Sequence, residues 1–127
     1  MDDAAIRAFA ARFFDAIEAG DIETVATSYT DDVEVWHNFD GLTQTKTENL
    51  ATLRGLIRRV SERRYENRRL DVFPGGFVQL HVLSGVRGDG RRVSLPAALV
   101  ARLRDGRISR IDEYIDSAHV AAFVGRG

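Results

Sequence analysis

Near the start of the chain apolar residues recur at helical spacing: Ile6, Phe9, Ala10, Phe13 and Ile17 make one stripe, which Phe14 widens. The stripe predicts a first helix capped by Asp2 or Asp3 and running to about Ala19, with Gly20 as its stop signal. Asp21 can cap a short second helix over 22 to about 29, which ends at the polar Thr30-Asp31-Asp32. Residues 33–39 alternate as a strand, and Gly41 opens a polar loop. A third helix begins at Thr45 or Thr47 and lines up Leu50, Leu53, Ile57 and Val60 on one face.

The period then changes from helical to alternating. Strands are expected at about 65–73, 77–85, 92–104 and 107–115. Between them lie the hairpin signals Pro74-Gly75-Gly76, Gly88-Asp89-Gly90 and Asp105-Gly106. Pro96, inside the third of these strands, predicts a bulge or a locally unpaired edge. A last helix is expected from about 117 to 124. Helices first and an antiparallel meander after them describe an α+β fold. In the strand around 77–84, Phe77, Gln79, His81 and Leu83 share one face, and Val78, Leu80, Val82 and Ser84 the other. Both faces are largely apolar, so both require cover. The helices can shelter one, and a second copy of the chain, in a two-fold homodimer through the sheet face, is expected to shelter the other.

Composition narrows the field. At 127 residues, 44% apolar and 29% charged, the chain is expected to form one domain over 1–127 that buries about two-thirds of its unfolded surface. It has no cysteine, which excludes disulfides, thiolate nucleophiles and cysteine-held metals. A net charge of −1 gives no reason to expect nucleic acid or an anionic membrane as partner. No apolar run approaches the roughly 20 residues that span a bilayer. Met1-Asp2-Asp3 is acidic where a signal peptide would be basic, so a soluble cytoplasmic protein is expected. Arg54, Arg58, Arg59, Arg63, Arg64, Arg68 and Arg69 crowd together, with Glu62 and Glu66 among them. With only Tyr65 nearby to stack a base, they read as a solvated helix end running into an edge strand.

The first helix breaking at Ala19-Gly20-Asp21, the strand Asp31-Asp32-Val33-Glu34-Val35-Trp36-His37-Asn38, and Gly76-Phe77-Val78-Gln79-Leu80-His81 resemble the nuclear-transport-factor-2-like superfamily, in its SnoaL-like or ketosteroid-isomerase-like branch. Asp105-Gly106-Arg107-Ile108 leading into Asp112-Glu113-Tyr114-Ile115-Asp116 adds to the likeness, which follows nearly the whole chain in order of elements. The resemblance implies a cone-shaped half-barrel, a curved antiparallel sheet wrapped around the N-terminal helices, with a deep apolar pocket. It also implies an activity drawn from isomerases, polyketide cyclases, dehydratases, an epoxide hydrolase or plain binding modules, because the fold alone names none of them.

Candidate chemistry then falls on a few polar residues. His81 sits mid-strand beside Gln79 on the face assigned to the pocket, where a neutral imidazole could exchange a proton near pH 7. Burial would lower its pKa and a facing Glu113 carboxylate would raise it, which predicts titration near neutrality. A histidine alone in an apolar strand also reads as a core residue bonded to a backbone carbonyl. Alternation leaves a fork in the first strand: either His37 faces the pocket with Val33 and Val35, or Trp36 and Asn38 face it as an aromatic wall and a hydrogen-bond donor. By resemblance Glu113 stands where the epoxide-hydrolase relatives carry a carboxylate, and Asp116 where SnoaL-like cyclases carry their aspartate. Asp116 also reads as the cap of the last helix, so it is the reserve candidate.

Tyr29 could reach the pocket as a phenol donor, and Phe13, Ile17, Leu53 and Ile57 are expected to line it. The expected function is cofactor-independent proton transfer on a small hydrophobic substrate, aromatic or polycyclic, of isomerase, cyclase or dehydratase (lyase) type. The competing expectation is a ligand-binding or dimerisation module with no chemistry. Epoxide hydrolysis ranks below both, since Gln79 and His81 stand where an Arg-x-Asp pair would be needed. His37, His81 and His119 lack metal-ligand spacing, and no glycine-rich loop leads from a strand into a helix, so neither a metal nor a nucleotide cofactor is expected.

Overall fold

Local signals set the helix ends. The computed structural model describes residues 1–123, so the expected end of the last helix at Val124 lies outside the described residues. Helix α1 is Asp3–Ala19, capped by the Asp2 carboxylate, which accepts from the Ala5 N–H at 2.8 Å. Gly20, at φ +76°, ends it and donates its N–H to the Ala16 and Ile17 carbonyls, a left-handed cap that glycine adopts without strain. Asp21 caps α2 (Ile22–Ser28). Thr45 and Glu48 form a reciprocal capping box on α3 (Lys46–Arg59), which settles the choice between Thr45 and Thr47.

The strands are β1 (Tyr29–His37), β2 (Thr43–Gln44), β3 (Val60–Phe73), β4 (Gly76–Arg87), β5 (Arg92–Arg104) and β6 (Arg107–Ile115), and α4 (Ser117–Phe123) follows. Together they form one curved, unclosed sheet in the order β2-β1-β6-β5-β4-β3, packed around the N-terminal helices, an α+β fold. Every pairing is antiparallel except β1 with β6, which run parallel. Tyr29 begins β1 where a helix end was expected, and the short β2 occupies the expected polar loop. Strand β3 starts at Val60, directly after α3 and five residues before the expected start at 65.

The edge strand β3 is bent. Its register slips between Ser61 and Arg64 and again between Glu66 and Arg69, with Glu62 and Asn67 at φ +51° and +56°. Two such bulges increase local twist and turn the strand over α1. The bend is held by side chains: the Tyr65 N–H donates to the Glu18 carboxylate at 2.6 Å, and Arg68 pairs with Asp15 and Glu18 at 2.9 and 3.1 Å. Arg63 donates to the carbonyls of Ile17 and Glu18 at the end of α1 and of Ile57 and Val60 at the end of α3. Arg63 and Arg68 are therefore not part of a solvated surface.

Pro96 causes no bulge, because β4 and β5 stay in register through Val82 and Pro96. Its missing donor falls on the β6 side, where the ladder ends at Ile115 and the Pro96 carbonyl accepts from the Asp116 N–H at 3.3 Å. There the proline stops the pairing and frees the chain to enter α4. Along β4 the faces divide as the alternation predicts. Phe77, Gln79, His81 and Leu83 are buried inside, and Leu80 on the outer face is 38% exposed.

Candidate active site

Between α1, α3 and the concave face of the sheet lies a cavity of about 170 Å³. Phe13, Phe14 and Ile17 of α1 and Leu53 and Leu56 of α3 form much of its apolar wall, and Val120 and Phe123 of α4 reach it from the other side. Ile57, expected beside Leu53, turns instead toward Gly20, because the cavity-facing stripe of α3 runs Asn49, Thr52, Leu53, Leu56. A second depression of about 500 Å³ lies on the outer face of the sheet, lined by Leu80, Pro96 and Tyr114 together with Asn67, His81 and Asp116.

The parallel pairing of β1 with β6 builds the chemistry of the inner cavity. It places His37 in register with Glu113, so both side chains leave the sheet on the same face. His37 Nε2 lies 3.0 Å from Glu113 Oε1, with the side chains only 12% and 19% exposed. Burial disfavours the His37 cation, but the hydrogen bond and charge of Glu113, with the charge of Asp40, outweigh it, and the pKa rises above 6.5. Oε1 is the oxygen bonded to His37, and among the described residues Oε2 has no partner.

The fork in β1 is thereby resolved for His37. Trp36 points outward and packs edge-on against Tyr114 with ring centroids 5.3 Å apart. The Asn38 carboxamide exchanges two hydrogen bonds with the Ile115 backbone, at 2.7 and 3.1 Å, and so prolongs the ladder beyond β1. Neither residue is available to a ligand in the cavity.

His81 and Gln79 face inward, yet neither lines the cavity. The His81 ring is packed against Tyr65 and Phe14, with centroids at 4.6 and 5.4 Å, and its Nδ1 is 3.0 Å from Gln79 Nε2. An amide N–H donating to Nδ1 leaves the proton on Nε2, the neutral tautomer. Burial dominates its ionisation: the pull of Glu113 is too weak, Arg68 adds repulsion, and the pKa falls to about 4. The expected titration near neutrality is overturned, and Glu113 is partnered by His37 instead. Asp116 is exposed and caps α4 by accepting from the Ala118 N–H at 3.0 Å.

Tyr29 does line the cavity, with its hydroxyl donated to Asn49 Oδ1 at 2.7 Å. The chain continues from Asn49 Nδ2 to Gln44 Oε1 and from Gln44 Nε2 to Thr52 Oγ1, both at 2.9 Å. Tyr65 also faces the cavity; burial keeps its phenol protonated, and among the described residues its hydroxyl has no partner. Sequence reasoning missed Asn49, Gln44, Tyr65 and Arg59. Only Asn49 carried a signal, a polar residue at helical spacing from Leu53 and Leu56. Among the described residues no three His, Asp or Glu side chains gather as a metal site, and no helix is long and apolar enough to cross a membrane.

Residues 10–111 match the SnoaL-like domain family, and the chain belongs to it. Among curated proteins nothing matches. Solved structures with the same fold include an NTF2-like protein of unknown function from Burkholderia pseudomallei, 19% identical, TM-score 0.81, with 98% of each chain covered. A candidate SnoaL-like polyketide cyclase from Shewanella putrefaciens is 16% identical, TM-score 0.80, covering 95% of this chain and 96% of the other. A protein of ketosteroid isomerase-like fold from Catenulispora acidiphila, in complex with trimethylamine, is 14% identical, TM-score 0.79, covering 94% and 93%. Identities this low show a shared fold.

Proposed function

We propose that this member of the SnoaL-like domain family is an acid–base enzyme that moves a proton on a small organic molecule, with Glu113 as the proton carrier. The His37–Glu113 pair on the wall of a cavity with a largely apolar lining supports this reading above all else. Oε2 of Glu113 takes a proton from a carbon beside a carbonyl, His37 holds Oε1, and the Tyr65 hydroxyl donates to the oxygen on which charge develops. That step is common to isomerases, cyclases and dehydratases, and the side chains present can carry it. Epoxide opening fits poorly, because Gln79 and His81 are packed away from the cavity.

A neutral His37 leaves Glu113 the stronger base, so the rate is expected to rise with pH through a midpoint above 6.5, the direction in which the pair shifts the imidazole. In Glu113→Gln only the charge of Asp40 still opposes burial, and the His37 ring protons, followed by NMR, should titrate lower than in the parent.

Exchange of the α-protons of cyclohexanone in deuterated buffer tests the chemistry. The parent protein is expected to accelerate exchange, and Glu113→Gln to lose about a hundredfold of it. No acceleration over buffer at a cyclohexanone concentration that fills the cavity would leave a binding module of the same fold.

The outer face supports a two-fold homodimer. Leu80, Ala98 and Tyr114 are cross-strand neighbours on β4, β5 and β6, and Trp36 packs on Tyr114, giving an apolar row across the sheet. Native mass spectrometry is expected to show two copies, and Leu80→Glu to release monomer because it would bury an unpaired carboxylate. A monomeric parent would rule the dimer out.

A further inference from the structure

Helix α3 contains a glycine where alanine would be the stronger helix former. Gly55 is buried mid-helix, and its flanking turns carry Thr52, Leu56 and Arg59 toward the cavity. Long helical side chains fold back over the preceding turn, and Arg59 does so. A methyl group at position 55 would lie 2.8 Å from Arg59 Nη1 and 3.5 Å from Cζ and Nη2. The bare glycine thus gives the guanidinium a seat against the helix, at the edge of the cavity that Arg59 helps to line. Among the described residues no carboxylate lies within salt-bridge distance of Arg59; Arg54 and Arg58 on the same helix also lack one, but of the three it is Arg59 that lines the cavity.

We propose that Arg59, seated on Gly55, is a clasp for the carboxylate of the cavity's ligand, which is a small monocyclic or short-chain organic acid. The proposal rests on reading the cavity as the ligand site and names its substrate class. Size supports it, since a cavity of about 170 Å³ is close to the roughly 150 Å³ that benzene fills. A single ring therefore fits inside, and a substituent on it reaches the rim. Charge sets the anion: among the described residues lining the cavity Arg59 is the one arginine or lysine, and Glu113 repels a second negative charge in the same space. A monoanionic carboxylate, bound by the planar fork of the guanidinium, matches that balance better than a phosphate dianion.

Phenylacetate and phenylacetamide are suitable probes, being nearly the same shape and differing by one charge. By isothermal titration calorimetry the parent protein is expected to bind phenylacetate about fivefold tighter than the amide, as befits a rim-exposed ion pair. Arg59→Gln should abolish that preference, weakening phenylacetate binding more than amide binding. Gly55→Ala should do the same by displacing the guanidinium, while its better helix propensity raises the thermal midpoint; the two changes have opposite signs, so misfolding cannot mimic them. Equal binding of the two probes by the parent, or a preference that survives Arg59→Gln, overturns the clasp and leaves the cavity as a ligand site. Binding of neither probe overturns both. Failure of the proton-transfer reading shows separately, in the exchange of neutral cyclohexanone, which offers Arg59 no charge.

Discussion

Arg63→Ala is expected to lower the unfolding free energy by about 3 kcal/mol, read as a shift in the urea midpoint at unchanged slope. The guanidinium ties together three parts of the chain, reaching carbonyls of Ile17, Glu18, Ile57 and Val60. Three of these sit at helix C-termini, where carbonyls lack partners within the helix and the helix dipole favours a cation. Removing the side chain leaves Ile17 only its bond from the Gly20 N–H, and leaves the other carbonyls to water that must enter a partly buried junction. Gly20 contributes to the same junction: a Cβ there would stand 3.1 Å from Arg63 Nη2. Arg63→Lys should recover only part of the loss, since one ammonium cannot span acceptors on separate segments. Arg64→Ala, one residue along and exposed, is the control and should change stability by less than about 0.5 kcal/mol. If the two alanine variants were equally stable, Arg63 would not be the tie described.

Acid is expected to destabilise the protein through His81, by about 3 kcal/mol between pH 7 and pH 4. Its folded pKa, about 4, lies below the ordinary 6.5, so between those values the unfolded chain binds the proton and the folded chain does not. The contribution is complete above about 6.5, shrinks as pH falls below that value, and is gone near 4. His37 acts in the opposite sense. Its folded pKa is raised, so its contribution is present below 6.5 and is lost as pH rises through the folded value. Urea denaturation at pH 7 and pH 4 would compare the parent with His81→Phe. The variant strands the Gln79 amide and should be less stable at pH 7, but the drop from pH 7 to pH 4 should be smaller by about the amount given above. An equal drop in parent and variant would show that His81 is not held neutral by burial.

The two histidines show where reading the chain stopped. Alternation placed His81 on the inner face of β4 and His37 on either face of β1, so His81 stood out as the better candidate. The inner face of a strand is not the lining of a cavity. Phe14 and Tyr65, from α1 and β3, cover the His81 ring, and neither contact can be read from the strand that carries it. Glu113 was singled out, but its partner was not, because the partner depends on β1 and β6 lying parallel and in register. Arg63 and Arg68 were grouped with solvated neighbours for the same reason: their partners are carbonyls and carboxylates far along the chain.

Properties set by near neighbours in the chain were legible from the sequence alone. These are the cap at Asp21, the caps of α1 and α3 to within a choice of two residues each, the left-handed stop at Gly20, the helix-to-strand change of period, and the inner and outer faces of β4. Each depends on backbone geometry within a few residues, where spacing and residue type decide the outcome. The tertiary structure alone decided that β1 lies beside β6 rather than elsewhere, where β3 bends, and which inward groups reach the cavity rather than the core. The pairing of His37 with Glu113 and the pKa values of both histidines follow from those decisions. A titration is set by how much water and which charges surround a group, and here, apart from Asp40 beside His37, those surroundings come from α1, β3 and β6, elements remote in sequence from the histidines they act on.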